Sequence, residues 1–183
     1  MKNSDLYYRK FMESVGIDLE SPHAKGTPAR ISRFFKEYTR GLRPPDFDFT
    51  SFPLNPKHDY DQLVIVSKIP LASLCAHHHV PFIGICHVGY LPSKRIIGLS
   101  KIVRAVDWIA HKPSIQEDLT EEIADLLIEK LNPRAVCVLV KATHYCVEMR
   151  GIAKQGVQTI THCIRGKLGG TVKHEFLSLV GTL

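Results

Sequence analysis

Residues 73–82, SLCAHHHVPF, constrain this chain more than any other stretch. They place one thiol, Cys75, and three consecutive imidazoles at residues 77–79 between two apolar segments. Cys75 and His78 are three residues apart, so a continuous strand would put their side chains on opposite faces, whereas a tight turn lets both point inward. We therefore predict a bend that gathers metal ligands.

A second Cys/His pair, His144 and Cys146, lies downstream of the alternating apolar run 135–140. That run predicts a strand, and from the strand end Cys146 could reach the same metal. Cys75, His78 and Cys146 would then give three protein ligands. Three N/S ligands plus an open water position are typical of catalytic zinc, whereas four protein ligands close a structural site.

The remaining histidines, His77, His79 and His144, have two possible roles. Each could complete the site as a fourth ligand, or stay free for acid–base chemistry beside a metal-bound water. The sequence leaves both alternatives open. A solvated histidine run is the simpler interpretation, but the thiol at a matching offset and the second Cys/His pair favour a metal.

The composition indicates one globular protein. The chain has 183 residues, 44% of them apolar and 23% charged, which suits a single domain with a helical extension. We expect a helical extension over 1–42 and a catalytic domain over 43–183. The first residues lack a signal-peptide pattern, no apolar run approaches a membrane span, and five cysteines lack disulfide spacing, so we expect a cytoplasmic protein.

The net charge of +6 favours an anionic partner. The basic residues are scattered, which predicts a compact phosphate pocket rather than an extended nucleic-acid groove. Arg30 and Arg33 share a predicted helix face, although a solvated basic face would look the same. Lys101 and Arg104 lie in the first turn of another predicted helix, whose N–H groups would add to anion binding.

Periodicity predicts an alternation of helices and strands. Helices are expected over 2–16, 27–38, 101–109, 114–131 and 171–180, and strands over 63–69, 82–91, 134–143 and 156–164, with a glycine turn at 166–170. Thr27 and Ser100 are candidate N-caps, Gly41 a helix stop, and Ser114 with Glu117 a capping box. The thiols outside the cluster, Cys86, Cys137 and Cys163, are expected in the core.

Taken together, the chain resembles the GTP cyclohydrolase I family over about residues 16–180. The resemblance is carried by TPAR at 27–30, SLCAHH at 73–78, PF at 81–82, IGLSK at 97–101, QEDLT at 116–120, HYC at 144–146 and MRG at 149–151. It implies an α+β tunnelling fold, an antiparallel four-stranded sheet with helices on one face, plus an N-terminal helical extension. It also implies a toroidal homodecamer, in which subunits join their sheet edges and share active sites.

The same resemblance implies the reaction, in which GTP and water give 7,8-dihydroneopterin triphosphate and formate. Cys75, His78 and Cys146 would bind Zn²⁺, with a water in the open position whose lowered pKa suits attack on guanine C8. Folate, tetrahydrobiopterin and 7-deazaguanine synthesis share this step, so the pathway stays open. No nucleic acid or membrane partner is implied.

Roles follow from the resemblance for the other residues. His144 would protonate N7 as the ring opens, with His77 assisting, and Ser100 would contact the ribose-phosphate region. Glu117 would accept the guanine N1–H and amino group, with Gln116 beside it, and its capping role is not excluded. The triphosphate clamp, partly from a neighbouring subunit, would comprise Lys101, Arg104, Arg150, Arg30 and Arg33.

Three positions depart from the family pattern. Ala76 stands where the family carries Glu, and Val157 and His162 replace two serines, while Thr159 and Thr161 remain. These departures leave open a low-activity or regulatory GTP- or pterin-binding member of the same fold. A zinc-stabilised nucleic-acid-binding module is less favoured, because basic and aromatic residues do not alternate.

Overall fold

The computed structural model describes residues 3–166 and 170–181. In chain order the elements are α1 (Asn3–Ser14), α2 (Thr27–Tyr38), a 3-10 turn (Arg40–Leu42), β1 (Ser51–Pro53), β2 (Val64–Cys75), β3 (Pro81–Leu91), β4 (Arg95–Ile97), α3 (Leu99–Ala110), β5 (Pro113–Ser114), α4 (Gln116–Leu131), β6 (Ala135–His144), α5 (Tyr145–Glu148), β7 (Thr159–Gly166) and α6 (Gly170–Gly181). They fall into two compact units, Met1–Arg40 and Gly41–Leu183. The predicted glycine turn includes 167–169, which lie outside the described residues.

The first unit is a pair of helices joined by aromatic packing. Tyr8 of α1 stacks on Phe35 of α2 with ring centroids 5.6 Å apart. Gly26, rather than Thr27, occupies the position before α2, and Pro28 lies in its first turn, where its missing N–H costs no helical hydrogen bond. The helix ends at Tyr38 with Thr39 as the capping residue, so the predicted stop at Gly41 is wrong.

The second unit is built on a sheet with strand order β5-β2-β3-β6-β7. The four long strands are antiparallel neighbours, and β5 is a two-residue strand parallel to the end of β2. Strands β1 and β4 pair separately. The predicted α+β class and the antiparallel four-stranded sheet are therefore confirmed.

Successive side chains of a strand point to opposite faces, so the apolar residues are divided between the two faces of the sheet. On one face Val138 and Val140 of β6 join a core with residues of α3 and α4, such as Val106 and Leu127. Each fully buried aliphatic side chain contributes roughly 1.5–3 kcal/mol, so this layer is the main source of stability. The C-terminal helix α6 adds a smaller cluster, in which Phe176 packs with Cys137.

The three cysteines outside the predicted metal cluster are buried and free. Burial raises the pKa of Cys137 to about 11 and that of Cys163 to about 12, and it also raises the pKa of Cys86. Such thiols stay protonated and are poor nucleophiles at neutral pH. Their predicted role as core residues is confirmed. None of the helices in the described ranges is long and apolar enough to cross a membrane.

Strand direction gives the sheet two distinct ends. At the Cys75 end, β2 finishes and β6 arrives at His144, which pairs with Phe82. At the Tyr90 end, the Ile97 N–H donates to the Tyr90 hydroxyl at 3.3 Å, just before α3 begins. From Phe82 to Tyr90 the strand advances about 26 Å at roughly 3.3 Å per residue. The first turn of α3 is therefore remote from Cys75 within one chain.

Candidate metal centre and active site

The chain reverses direction between β2 and β3 at residues 76–79. The Cys75 N–H donates to the Val80 carbonyl at 2.9 Å, and the His79 N–H donates to the Cys75 carbonyl at 2.8 Å. His79 adopts a left-handed conformation with φ of 53°, which closes the turn. The Ala76 N–H donates to the Ser114 carbonyl at 3.0 Å and ties the turn to β5. The bend predicted from the spacing of Cys75 and His78 is present.

This turn brings together the three predicted ligands. One donor atom each from Cys75, His78 and Cys146 lies within 4.8 Å of the other two. Cys146 comes from α5, the single helical turn that follows β6. His78 directs Nδ1 toward the Cys75 thiol, with 3.9 Å between Nδ1 and Sγ. Two thiols and one imidazole form a donor set that suits zinc.

The chemistry of the two thiols fits a bound cation. Burial and the neighbouring Cys75 thiol raise the pKa of Cys146, and only Arg150 opposes this among the nearby charges. The raised pKa disfavours a Cys146 thiolate in the metal-free protein, whereas a divalent ion would stabilise thiolate ligands. The residues therefore fit a zinc ion.

The other histidines lie around this cluster without belonging to it. His77 places Nδ1 3.7 Å from the Cys75 Sγ and is exposed. His144 is half-buried and stacks on Phe82, with ring centroids 4.6 Å apart and an interplanar angle of 9°. Its Nε2 lies 2.8 Å from Gln116 Oε1. His144 is thus held from two sides at the Cys75 end of the sheet.

Burial and the Glu117 carboxylate act on the pKa of His144 in opposite directions. Burial lowers the pKa of His144, and the Glu117 carboxylate acts in the opposite direction. This coupling places Glu117, which is exposed in the first turn of α4, near the imidazole. The position before α4 is occupied by Ile115 without a side-chain cap, and the Ser114 hydroxyl donates to the Ile115 carbonyl instead. The predicted capping box is therefore wrong, and the Glu117 carboxylate has no capping role.

A cavity of about 270 Å³ lies beside Glu117. It is lined by Glu117, Thr120, Glu121, Thr161 and His162. Its volume is near the lower end of the range for small-molecule pockets. Because β7 is an edge strand, the cavity lies where another sheet could approach. His162, one of the departures from the family pattern, is part of its wall.

The predicted cationic residues divide into separate groups. Arg150 belongs to the cluster, since its Nη1 lies 2.9 Å from His78 Nε2. Ser100, Lys101 and Arg104 lie in the first two turns of α3, at the Tyr90 end of the sheet. Gly98, not Ser100, precedes that helix. Arg30 and Arg33 are exposed on α2 in the first unit. One chain therefore does not bring Ser100, Lys101 and Arg104 to its own cluster.

The sequence does not predict the two contacts that hold His144, the stacking on Phe82 and the hydrogen bond to Gln116. Phe82 belongs to the PF motif at 81–82, and its position directly opposite His144 in the β3–β6 register explains the stacking. Gln116 is also hydrogen-bonded to Thr120 and Thr161, and the sequence analysis predicts neither contact. The spacing of four residues between Gln116 and Thr120 on α4 was the available signal.

Known proteins resemble this chain over most of its length. The sequence model for GTP cyclohydrolase I matches residues 5–181. GTP cyclohydrolase 1 of Thermoanaerobacter pseudethanolicus is 43% identical over 95% of this chain and 93% of its own length. The protein of the same name from Streptomyces coelicolor is 42% identical over 98% of this chain and 90% of its own. A solved structure, the archaeosine synthase QueF-Like in its apo form, gives a TM-score of 0.49 at 18% identity, over 61% of this chain and 100% of that one. The family match and the two GTP cyclohydrolase 1 relatives, each more than 40% identical, show that the chain belongs to the GTP cyclohydrolase I family.

Proposed function

We propose that this protein is a zinc-dependent GTP cyclohydrolase I. It would open the imidazole ring of the guanine base at C8, release formate and yield 7,8-dihydroneopterin triphosphate. The observation that carries this proposal is the convergence of Cys75, His78 and Cys146, with His144 at the same end of the sheet. The relatives' shared name supports the same reaction.

Cys75, His78 and Cys146 would hold the zinc. When bound, a zinc ion with three N/S ligands lowers the pKa of a water to near neutrality, which provides the nucleophile that a poor electrophile such as guanine C8 requires. Arg150, 2.9 Å from His78, adds a positive charge beside the cluster, and this charge suits the triphosphate.

His144 would act on guanine N7. A proton delivered to N7 makes C8 more electrophilic and prepares the ring for opening. The stacking on Phe82 and the hydrogen bond to Gln116 restrict the imidazole to one orientation. His77, next to Cys75, is placed to assist at the same centre.

Glu117 would recognise the base. Guanine presents two adjacent N–H groups, at N1 and the exocyclic amine, and one carboxylate can accept both. Adenine has an acceptor at N1 and would leave the carboxylate facing a lone pair. The cavity beside Glu117 supplies the space, and the absence of a capping role leaves both carboxylate oxygens for the substrate.

The rest of the phosphate site would come from a second copy of the chain. Ser100, Lys101 and Arg104 lie at the Tyr90 end, so they would act on a triphosphate bound at a neighbour's cluster, and Arg30 and Arg33 complete the proposed clamp. Among the residues that the structure describes, no strand pairs with the outer edge of β7 or with most of that of β2, so both edges could pair with another sheet. These edges support the proposed homodecamer with shared sites. All five cysteines are free, which supports a reducing, cytoplasmic location.

Incubation with GTP and zinc tests the reaction. Formate release, together with neopterin fluorescence after oxidation, is the expected result, and Cys146→Ser is the matched inactive control. The competing proposal is a low-activity or regulatory GTP- or pterin-binding member, which Ala76 keeps open because position 76, next to Cys75, carries no carboxylate. GTP binding without formate release would favour this second proposal.

A further inference from the structure

The buried amide of Gln116 has an orientation that its surroundings determine. The side chain is 1% exposed. Its Nε2 lies 3.2 Å from the Val140 carbonyl and 3.1 Å from the Thr159 carbonyl. Main-chain carbonyls can only accept hydrogen bonds, so the NH₂ group must face them. The amide oxygen is therefore turned to the other side, toward His144.

This orientation determines which nitrogen of His144 carries a proton. Gln116 Oε1 can only accept, and it lies 2.8 Å from His144 Nε2. Nε2 must therefore be an N–H donor. A neutral imidazole carries one proton, so Nδ1 is then the nitrogen with a free lone pair. Two backbone carbonyls thus fix the orientation of the amide, and the amide fixes the tautomer of the imidazole.

A closed circuit of hydrogen bonds keeps the amide from turning over. Gln116 Nε2 donates to Thr161 Oγ1 at 3.0 Å. The Thr161 hydroxyl can then donate to Thr120 Oγ1 at 2.6 Å, and the Thr120 hydroxyl donates to the Gln116 carbonyl at 2.7 Å. Each hydroxyl donates once, and every polar atom of the circuit has a partner. A flipped amide would place its oxygen against the Val140 and Thr159 carbonyls, and buried acceptors facing each other are unfavourable.

We propose that Gln116 is a positioning residue, which fixes neutral His144 as the Nε2–H tautomer. Nδ1 is then the nitrogen that takes up a proton to form the imidazolium and passes that proton to guanine N7, after which the ring is again the Nε2–H tautomer. Gln116 thus acts behind the imidazole and not on the guanine base. Phe82 contributes by stacking on the ring, which disfavours the ring rotation that would exchange nitrogen and carbon positions. The catalytic part of this inference rests on the proposed function, whereas the tautomer does not.

The tautomer can be measured directly in the metal-loaded full-length protein labelled with ¹⁵N-histidine. The His144 signals are those that disappear in His144→Asn. The expected spectrum has a protonated Nε2 and an unprotonated Nδ1 in the neutral ring. A neutral His144 with its proton on Nδ1 overturns the proposal. This measurement uses no substrate, so a failure to turn over GTP would contradict the proposed function and leave the tautomer result intact.

Two variants test the role of Gln116 in turnover. Gln116→Met keeps the side-chain volume and removes the acceptor, so we expect a mixed tautomer and a kcat lower by about 10- to 100-fold, with KM for GTP little changed. Thr161→Val removes one acceptor but leaves both carbonyls, so we expect the wild-type tautomer and a smaller loss. Wild-type tautomer and kcat in Gln116→Met would refute the proposal. If that variant does not fold, the wild-type spectrum and Thr161→Val still decide it.

Discussion

At the scale of single residues, the site depends on a few side chains whose surroundings limit what they can do. Cys146 is next to a second thiol and Arg150, and its tendency to stay protonated is reversed most simply by a cation. Glu117 has no capping role and is exposed beside a cavity. Each of these residues can be changed singly without altering a helix or strand.

We expect one zinc per chain, lost in Cys146→Ser. The hydroxyl is a weaker zinc ligand than the thiolate, so the variant should lose metal and GTP turnover together. Metal analysis of the purified protein checks this. Cys137→Ala is the matched control, because it removes a buried thiol outside the cluster and should keep its zinc. Stoichiometric zinc in Cys146→Ser would show that the ligand set is wrong.

If Glu117 recognises the guanine base, Glu117→Gln should lose GTP turnover but, unlike Cys146→Ser, keep its zinc. The amide would present an N–H toward a guanine N–H, and an unpaired buried donor costs about 1–3 kcal/mol. Turnover of GTP should therefore fall by roughly 10- to 100-fold, while the fold and zinc content stay unchanged. Steady-state kinetics and metal analysis on the same sample measure both. Turnover close to wild type would remove Glu117 from the recognition site.

Replacing Ala76 by glutamate is expected to increase GTP turnover. A carboxylate beside a ligand turn can orient a neighbouring imidazole, and such support is worth about 10- to 100-fold in metal affinity or activity. Position 76 is exposed, so a longer side chain has room. Ala76→Glu should raise kcat with little change in KM at saturating zinc, as expected for an interaction formed in the transition state. An unchanged or lower kcat would show that the site functions as it is with alanine.

At the scale of helices and strands, the sequence predicted what periodicity and spacing encode. The hairpin β2–β3, the strand leading to His144 and the turn at Cys75 all follow from local patterns. The predicted caps at Ser100 and Ser114 are wrong, because a hydroxyl near a helix start is a capping candidate whether or not its side chain bonds to the first turn. The contact between Phe82 and His144 depends on strand register, which local sequence does not fix.

One element-level prediction concerns the close packing of α6 on β3. A Cβ at Gly89 would lie 2.9 Å from the Phe176 ring, whereas a Cβ at Gly98 would meet its nearest neighbour at 3.5 Å. Gly89→Ala should therefore destabilise the protein by about 1–3 kcal/mol, and Gly98→Ala by much less. Thermal unfolding of the two variants in parallel compares them. Equal midpoints would contradict this packing.

At the scale of the whole molecule, one chain cannot complete the proposed site. The cluster lies at the Cys75 end of the sheet, while Ser100, Lys101 and Arg104 lie at the Tyr90 end. In the described part of the chain, β2 and β7 have edges without a long partner strand, and pairing of these edges between copies would bring the two ends together. Pairing of one edge with a different edge of the next copy gives a ring when the rotation between copies closes.

Subunit complementation tests this arrangement. Cys146→Ser removes the cluster, and Arg104→Glu reverses a charge at the Tyr90 end, so each variant alone should be inactive. If the site combines the cluster of one copy with α3 of the next, random mixed rings contain intact sites at about a quarter of the interfaces, and co-expression restores activity. If each chain built its own site, every site in the mixture would carry one defect, and activity would stay absent. Light scattering on the same samples should give the mass of a large ring, most simply a decamer, and a monomeric mass at micromolar concentration would contradict both the ring and the shared site.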